Sequence, residues 1–251
     1  MEQVEVSYGV RTDVGRVREV NEDGLLAAPP IFAVADGMGG HDGGDVASRI
    51  VVEELQQLAD GGFDPARAQG AVVEALVRSQ QRIGDYAAER RAGGHRSSPG
   101  TTAVAAVLVV ADGDPAWLVA NLGDSRCYRL AHGVLEQVST DHSLVQLLVD
   151  SGQISRAEAA HHPERHVVTR ALGGPGDPDP DFFVVPLVDA PRLLLCTDGV
   201  NGMIDDAAIK LVLREHADPD MAAGRLVDEA LEAGGRDNAT AVVVDVVGGV
   251  R

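Results

Sequence analysis

Carboxylates at the edges of apolar runs are the side chains of this sequence whose type and spacing point to chemistry. Ile31-Phe32-Ala33-Val34-Ala35 runs into Asp36, Leu193-Leu194-Leu195-Cys196-Thr197 runs into Asp198, and Asp237 stands just before Ala239-Thr240-Ala241-Val242-Val243-Val244. Central apolar strands that each carry a carboxylate at a terminus can gather those carboxylates at one sheet edge. Carboxylates held close repel one another. Hard divalent cations relieve that repulsion, and Mg²⁺ or Mn²⁺ prefer oxygen ligands. Asp36 and Asp198 each precede glycine, which lets the backbone approach a metal or substrate closely. Asp-Gly is also a common turn dipeptide, so one such pair carries little weight. The set carries more: Asp23, Asp36, Asp124, Asp198 and Asp237 all sit where polar loops meet apolar runs.

The elements that must position these groups follow from periodicity. Val4 to Val10 alternates like a strand, and a polar loop runs from Arg11 to Glu22. Ile31 to Ala35 reads as a buried strand, followed by the glycine-rich Gly37 to Gly44. Asp45 is placed to cap a helix ending near Leu58, with Val46, Ile50 and Leu55 on its apolar side. A second helix fits Gln69 to Arg90. Thr101 to Val110 is β-branched and apolar, a strand pattern, and Ala116 to Asn121, Cys127 to Leu130 and Val134 to Val138 continue as strands with turns at Gly123 and Gly133. Ser143 to Ala160 reads as a helical stretch of mixed polarity, before Pro- and Gly-rich chain to Pro180. Phe182 to Leu187 and Arg192 to Thr197 are strands, Asp205 to His216 and Asp220 to Ala233 helices, and Ala239 to Val247 the last strand. Paired helices and short turns between strands favour antiparallel sheets flanked by helical layers over a regular βαβ alternation.

Composition narrows the function. The 251 residues include 39 acidic and 21 basic ones, a formal charge of −18, which disfavours a general nucleic-acid binder or a binder of anionic membranes. Lys210 is the only lysine and follows Ile209, so no P-loop Gly-Lys-Ser/Thr exists. No glycine loop and strand precede it, which rejects a kinase. A haloacid-dehalogenase phosphatase needs a second Asp two residues after its nucleophile, where Met38 stands, and a receiver domain needs a lysine that Lys210 does not supply. Cys127 and Cys196 lie in apolar runs and make no disulfide framework or zinc ribbon. With no apolar signal segment and no stretch long enough to span a bilayer, the expectation is a cytoplasmic protein with no membrane association.

Six short motifs occur in order: Arg18-Glu19-Val20-Asn21-Glu22-Asp23, Val34-Ala35-Asp36-Gly37-Met38-Gly39-Gly40, Ser98-Pro99-Gly100-Thr101-Thr102, Gly123-Asp124-Ser125-Arg126, Thr197-Asp198-Gly199 and Asp237-Asn238-Ala239-Thr240. The ordered set resembles the metal-dependent Ser/Thr protein phosphatases, the PPM or type-2C class, in their bacterial form, from about Val6 to Val246. The resemblance implies an α+β fold, a four-layer α-β-β-α sandwich of two antiparallel sheets flanked by helix pairs. It implies one phosphatase domain over residues 1–251, with a flap at about 141–180 that tunes substrate choice. It also implies two tightly bound Mn²⁺ or Mg²⁺ ions and a weaker third. By position Asp36 matches the carboxylate bridging two metals, Gly37 a carbonyl ligand, Asp198 and Asp237 ligands of the other metal, and Glu22 an acidic residue near them, with Asp23 behind it. Asp124 matches a residue that helps hold the third ion; its plainer role is a tight turn. Arg18 matches the arginine that grips the substrate phosphate, a task suited to a two-pronged guanidinium. A hydroxide between the metals would then attack phosphoserine or phosphothreonine in line, with no covalent intermediate.

The chain departs from eukaryotic relatives in having Met38 where they usually carry a histidine, as many bacterial relatives do. His41 lies three residues on, as a proton donor for the leaving oxygen or simply an exposed loop histidine. His161, His162 and His166 lack partners at zinc-motif spacing and read as structural or exposed. The implied partners are phosphorylated proteins, substrates of a Ser/Thr kinase or that kinase itself, with no nucleic acid and a monomeric enzyme. A catalytically silent phosphoprotein-binding member is the different-class alternative, which loss of a metal aspartate would favour; a phosphatase for small metabolites is a third reading.

Overall fold

In the computed structural model, which describes residues 4–39, 43–94 and 98–248, two five-stranded antiparallel sheets stack face to face. One sheet contains β1 (Glu5–Asp13), β12 (Ala239–Gly248), β11 (Arg192–Cys196), β8 (Arg126–Ala131) and β9 (Val134–Gln137), in that spatial order. The other contains β10 (Asp181–Pro186), β7 (Asp114–Leu122), β6 (Ala103–Ala111), β3 (Ile31–Ala35) and β2 (Gly24–Ala28). Helices α1 (Gly44–Gly61) and α2 (Ala68–Ala92) cover the second sheet; α5 (Asp198–Asn201), α6 (Asp206–Glu215) and α7 (Pro219–Glu232) cover the first. The fold is thus the expected α+β, α-β-β-α sandwich.

Period-two alternation builds the layers, because successive strand side chains point to opposite faces. In β3, Ile31, Ala33 and Ala35 pack with Ile50, Leu55 and Leu76 of the helices. Phe32 and Val34 point the other way and meet Leu193, Leu195, Val242 and Val244 between the sheets. Their neighbours Leu194, Cys196, Ala241 and Val243 face Ile209, Leu226 and Val227. A strand buried on both faces must be apolar throughout, hence the unbroken runs. Trp117, edge-on to Phe32, is buried in the inter-sheet layer.

Three expectations are corrected. Helix α1 starts at Gly44 from a left-handed Gly43 (φ 112), so Asp45 lies inside the first turn and does not cap it. The strand expected from Thr101 to Val110 is two elements: Gly100–Thr101 (β5) pairs with Gly37–Met38 (β4), and Ala103 begins β6, because Thr102 turns its backbone to Asp36. The stretch from Ser143 to Ala160 breaks into α3 (Leu144–Asp150) and α4 (Arg156–Ala159), each capped by its own serine, with Gly152 left-handed (φ 71) between them. The segment from 141 to 180 is held by a bridge within it, between Ser143 and Val168, and by another from Leu172 to Thr101.

Helices α1 and α2 are joined by an ion-pair cluster. Glu54, 4% exposed, accepts from Arg78 Nε at 2.7 Å and Arg82 Nη1 at 2.8 Å. Burial pushes the Glu54 carboxyl up, but the hydrogen bonds and charges of the two arginines outweigh it and hold the group below the usual range. A carboxyl so depressed adds stability above its unfolded value, and loses it as pH falls through its folded value. We expect Glu54→Gln to destabilise the fold by about 1–2 kcal/mol at pH 7, a drop of a few degrees in Tm. The gap to wild type should narrow toward pH 3 in paired melting curves, and a gap independent of pH would contradict the assignment.

Candidate functional site

Antiparallel pairing explains why distant carboxylates meet. In such a sheet the end of one strand lies beside the start of its neighbour. Cys196, at the end of β11, pairs with Ala241 near the start of β12 and with Arg126 at the start of β8. In the other sheet Ala35, at the end of β3, pairs with Gly24 at the start of β2, and Leu122, at the end of β7, pairs with Ala103. Asp198, Asp237, Asp124, Asp36 and Glu22 therefore leave their strands at the same edge of the sandwich. They line one cleft of about 460 Å³, together with Arg18, Gly37 and residues of the 141–180 segment.

Electrostatics confirms the crowding. Burial pushes the Asp36 carboxyl well above the usual carboxylate range, and the charges of Asp23, Asp198, Asp124 and Asp237 add to the shift. Burial, then Asp198 and Asp141, push Asp124 up to about 7. Asp23 is likewise pushed up to about 7 by burial, although Thr240 and Thr197 donate to it at 2.7 and 2.8 Å and oppose the rise. Arg18 donates from Nη2 to Asp237 at 2.8 Å, and this hydrogen bond raises its pKa against the effect of burial.

Small polar side chains hold the acidic ones in place. Asp36 exchanges two hydrogen bonds with Thr102: its N–H donates to Oγ1 at 2.9 Å, and its carbonyl accepts from the Thr102 N–H at 2.9 Å. Thr102 Oγ1 also lies 2.7 Å from Ser125 Oγ, which ties the Asp36 strand end to the Asp124 turn. Asn238 accepts from the Glu22 N–H and donates to the carbonyls of Val14 and Val20, each at 2.9 Å, so it pins the loop that carries Arg18 and Glu22 beside Asp237. Two glycines are demanded by close approach. A Cβ on Gly37 would lie 2.4 Å from the Glu22 carbonyl oxygen, and one on Gly199 would lie 1.8 Å from that of Asn238.

The chain matches the family model "Protein phosphatase 2C" over residues 19–232. It belongs to the protein phosphatase 2C family. It is 36% identical over 243 residues to the serine/threonine phosphatase stp of Listeria innocua, covering 94% of each chain. It is 38% identical over 242 residues to the serine/threonine protein phosphatase PstP of Mycobacterium tuberculosis, covering 96% of this chain and 45% of PstP. The crystal structure of that mycobacterial phosphatase superposes with a TM-score of 0.82 at 36% identity, over 97% of this chain and 99% of that one. The PstP catalytic domain solved with two manganese ions gives 0.78 at 35% identity, again over 97% and 99%. The protein is a serine/threonine phosphatase of this type.

The cleft of the phosphatase brings together seven of the eight residues singled out from sequence: Arg18, Glu22, Asp36, Gly37, Asp124, Asp198 and Asp237. His41 lies outside the described residues. Among the described residues no three His, Cys, Asp or Glu side chains form a ready-made metal cage. The donor set still fits hard divalent ions: it is all oxygen, and such ions usually bind through one or two carboxylates while keeping several waters. Cys127 and Cys196 are fully buried, and burial pushes their thiols up, that of Cys196 to about 12, so both are inert.

One exposed histidine also reaches the site. His166 is exposed, yet it lines the cleft with Nδ1 3.4 Å from Asp198, whose hydrogen bond raises its pKa against burial. Arg165 and Arg236 also face the cleft. Sequence reasoning did not single out these two arginines, because nothing local marks a loop side chain that reaches the site only through the fold.

Asn238 yields a test. Asn238→Asp keeps the acceptor for Glu22 but removes both donors to Val14 and Val20. We expect a loss of about 1–3 kcal/mol in stability and a fall in turnover larger than that stability loss alone produces at 25 °C. Melting and steady-state rates on one sample decide it; wild-type turnover in the folded variant would disprove the positioning role.

Proposed function

We propose that residues 1–251 form one Mn²⁺- or Mg²⁺-dependent phosphatase domain that hydrolyses phosphoserine and phosphothreonine monoesters in cytoplasmic proteins. The observation that carries the reading is the convergence of Asp36, Asp124, Asp198, Asp237 and Glu22 on one cleft beside Arg18. Bound divalent ions supply Lewis acidity there, acidifying a water for in-line attack and screening the phosphate. Asp36, the Gly37 carbonyl, Asp198 and Asp237 would hold the ions, with Asp36 as the carboxylate they share. Glu22 supports them from the loop pinned by Asn238. Arg18, now paired with Asp237, would turn to the substrate and grip two phosphate oxygens. His41 is the proposed proton donor to the leaving serine or threonine oxygen. Asp124 would help hold a third, weaker ion together with Asp198, which lines the same cleft. The proposed partners are substrates of a Ser/Thr kinase or the kinase itself, met by a monomeric enzyme without nucleic acid. Among the described residues no helix is long and apolar enough to cross a membrane.

The reading is tested by hydrolysis of a phosphothreonine peptide and of p-nitrophenyl phosphate with Mn²⁺, Mg²⁺ or chelator. We expect chelation to abolish turnover and Mn²⁺ to restore it; activity indifferent to chelator would overturn the proposal. Asp36→Asn should nearly abolish turnover in metal-saturated, folded protein, because an amide cannot supply the bridging charge.

Asp124→Ala separates the two roles of that residue. The third-ion role predicts lower turnover with two ions still bound and an unchanged Tm. Metal counting and melting that instead show a lowered Tm with wild-type turnover would assign Asp124 to the turn alone.

A further inference from the structure

We propose that His142 is a positioning residue for the reaction: its ring holds the turn that presents Asp124 to the cleft, in a tautomer set by Asp181. This inference rests on the phosphatase reading above and assigns a further residue to that site. His142 is 6% exposed and stands behind the cleft lining. It grips Gly123 by both backbone groups. The His142 N–H donates to the Gly123 carbonyl at 2.9 Å, and the Gly123 N–H donates to His142 Nδ1 at 3.2 Å. Asn121 Nδ2 donates to the same carbonyl at 3.2 Å. Gly123 also packs against Thr102: its φ is 121, and a Cβ there would lie 2.5 Å from the Thr102 methyl. The turn is thus held between His142 and the threonine that fixes the backbone of Asp36.

The ring can do this in one protonation pattern. A nitrogen that accepts from Gly123 carries no proton, so the ring is neutral and its proton sits on Nε2. Nε2 faces Asp181 Oδ2 at 3.2 Å, so it donates to the first residue of β10. Arg170 Nη1 lies 3.5 Å from Nε2 and 3.3 Å from Asp181 Oδ1; with Nε2 protonated, its hydrogen bond goes to Asp181. The carboxylate sets the tautomer, and the histidine holds the turn, which is the way outer groups orient the ligands of a metal site. The His142 carbonyl also accepts from the Thr169 N–H at 2.7 Å, next to Val168, which lines the cleft. The acidic edge is braced from behind by a side chain that adds no charge to it.

The test compares His142→Gln and His142→Asn, each alone and combined with Asp124→Ala. A Gln amide reaches toward the place of Nε2 and leaves the Gly123 N–H without its acceptor. An Asn amide oxygen stands near the place of Nδ1 and can accept from it. Turnover of p-nitrophenyl phosphate is followed against Mn²⁺ concentration, with Tm measured on the same samples. We expect His142→Gln to lower turnover and to raise the Mn²⁺ needed for half-maximal rate, each by about tenfold. His142→Asn should recover most of both, and His142→Gln should cost nothing further in the Asp124→Ala background. Nitrogen NMR of the Mg²⁺-loaded wild-type enzyme should show His142 with its proton on Nε2. A proton on Nδ1 would overturn the inference, as would wild-type turnover in folded His142→Gln, equal losses in the two substitutions, or an undiminished loss on top of Asp124→Ala. Wild-type turnover in Asp124→Ala alone would leave His142 nothing to position, and would overturn it too. If His142→Gln does not fold, the tautomer and the rates of His142→Asn decide, and turnover lost in folded His142→Asn counts against the inference. All of these outcomes leave the phosphatase reading intact. Absence of Mn²⁺-dependent turnover in the wild-type enzyme would overturn that reading, and the inference with it.

Discussion

Repulsion among carboxylates crowded at one end of two stacked sheets is the constraint that shapes this protein. Asp36 feels Asp23, Asp198, Asp124 and Asp237 at once, on top of its burial. Left to themselves, groups so placed would spread or take up protons. The sandwich prevents spreading because Asp36, Asp198 and Asp237 are fixed to the ends of strands whose two faces are both buried in apolar layers. Moving one of them would drag a core strand. The crowding is thus held by hydrophobic burial elsewhere, which is how a site can store electrostatic strain that cations and a phosphate substrate relieve.

Orientation needs more than burial, and it comes from uncharged hydrogen-bonding groups. Thr102, Thr197, Thr240, Ser125 and Asn238 sit between the acidic residues and spend their hydroxyls and amide on backbone groups and on Asp23. Each can hold a backbone segment without adding charge to a region that already carries too much. Threonine is suited to the task at strand ends, since its β-branch fits the pleat while its hydroxyl reaches a neighbour. The short motifs around the aspartates are mostly this scaffolding, and only a minority of their residues face the cleft.

That division explains what was legible before the structure. Strand β3 could be read to the residue because five apolar side chains end abruptly at a charged one. The gathering of Asp36, Asp198 and Asp237 followed from the same logic of strand ends. Strand β2 was missed: Gly24-Leu25-Leu26-Ala27-Ala28 has no β-branched residue and no clean alternation, and pairing with β3 alone makes it a strand. The α1 start was misread because Gly43 reaches a left-handed backbone that replaces a side-chain cap. That His166 meets Asp198 was not legible, for a different reason. Its approach to Asp198 depends on how the 141–180 segment folds back, through bridges from Ser143 to Val168 and from Thr101 to Leu172. No local pattern encodes a contact of that kind.

Strand β11 shows how one element serves both stability and chemistry. Its far end is Arg192, and Asp198 follows just past its near end, so the two stand roughly 20 Å apart along an extended chain. Arg192 is 9% exposed, donates from Nε and Nη2 to both Asp245 oxygens at 2.6 Å, and donates to the carbonyls of Leu213, His216 and Ala217 at 2.6 Å. It thereby fastens the central strands to the C-terminal end of α6, where unpaired carbonyls and the negative end of the helix favour a cation. A buried charge is tolerated there because every direction of its guanidinium is matched. At the other end strand pairing gathers more carboxylates than Arg18 and its neighbouring cations match. An anchor satisfied within the protein holds the strand against the pull of a site that is satisfied only by what it binds.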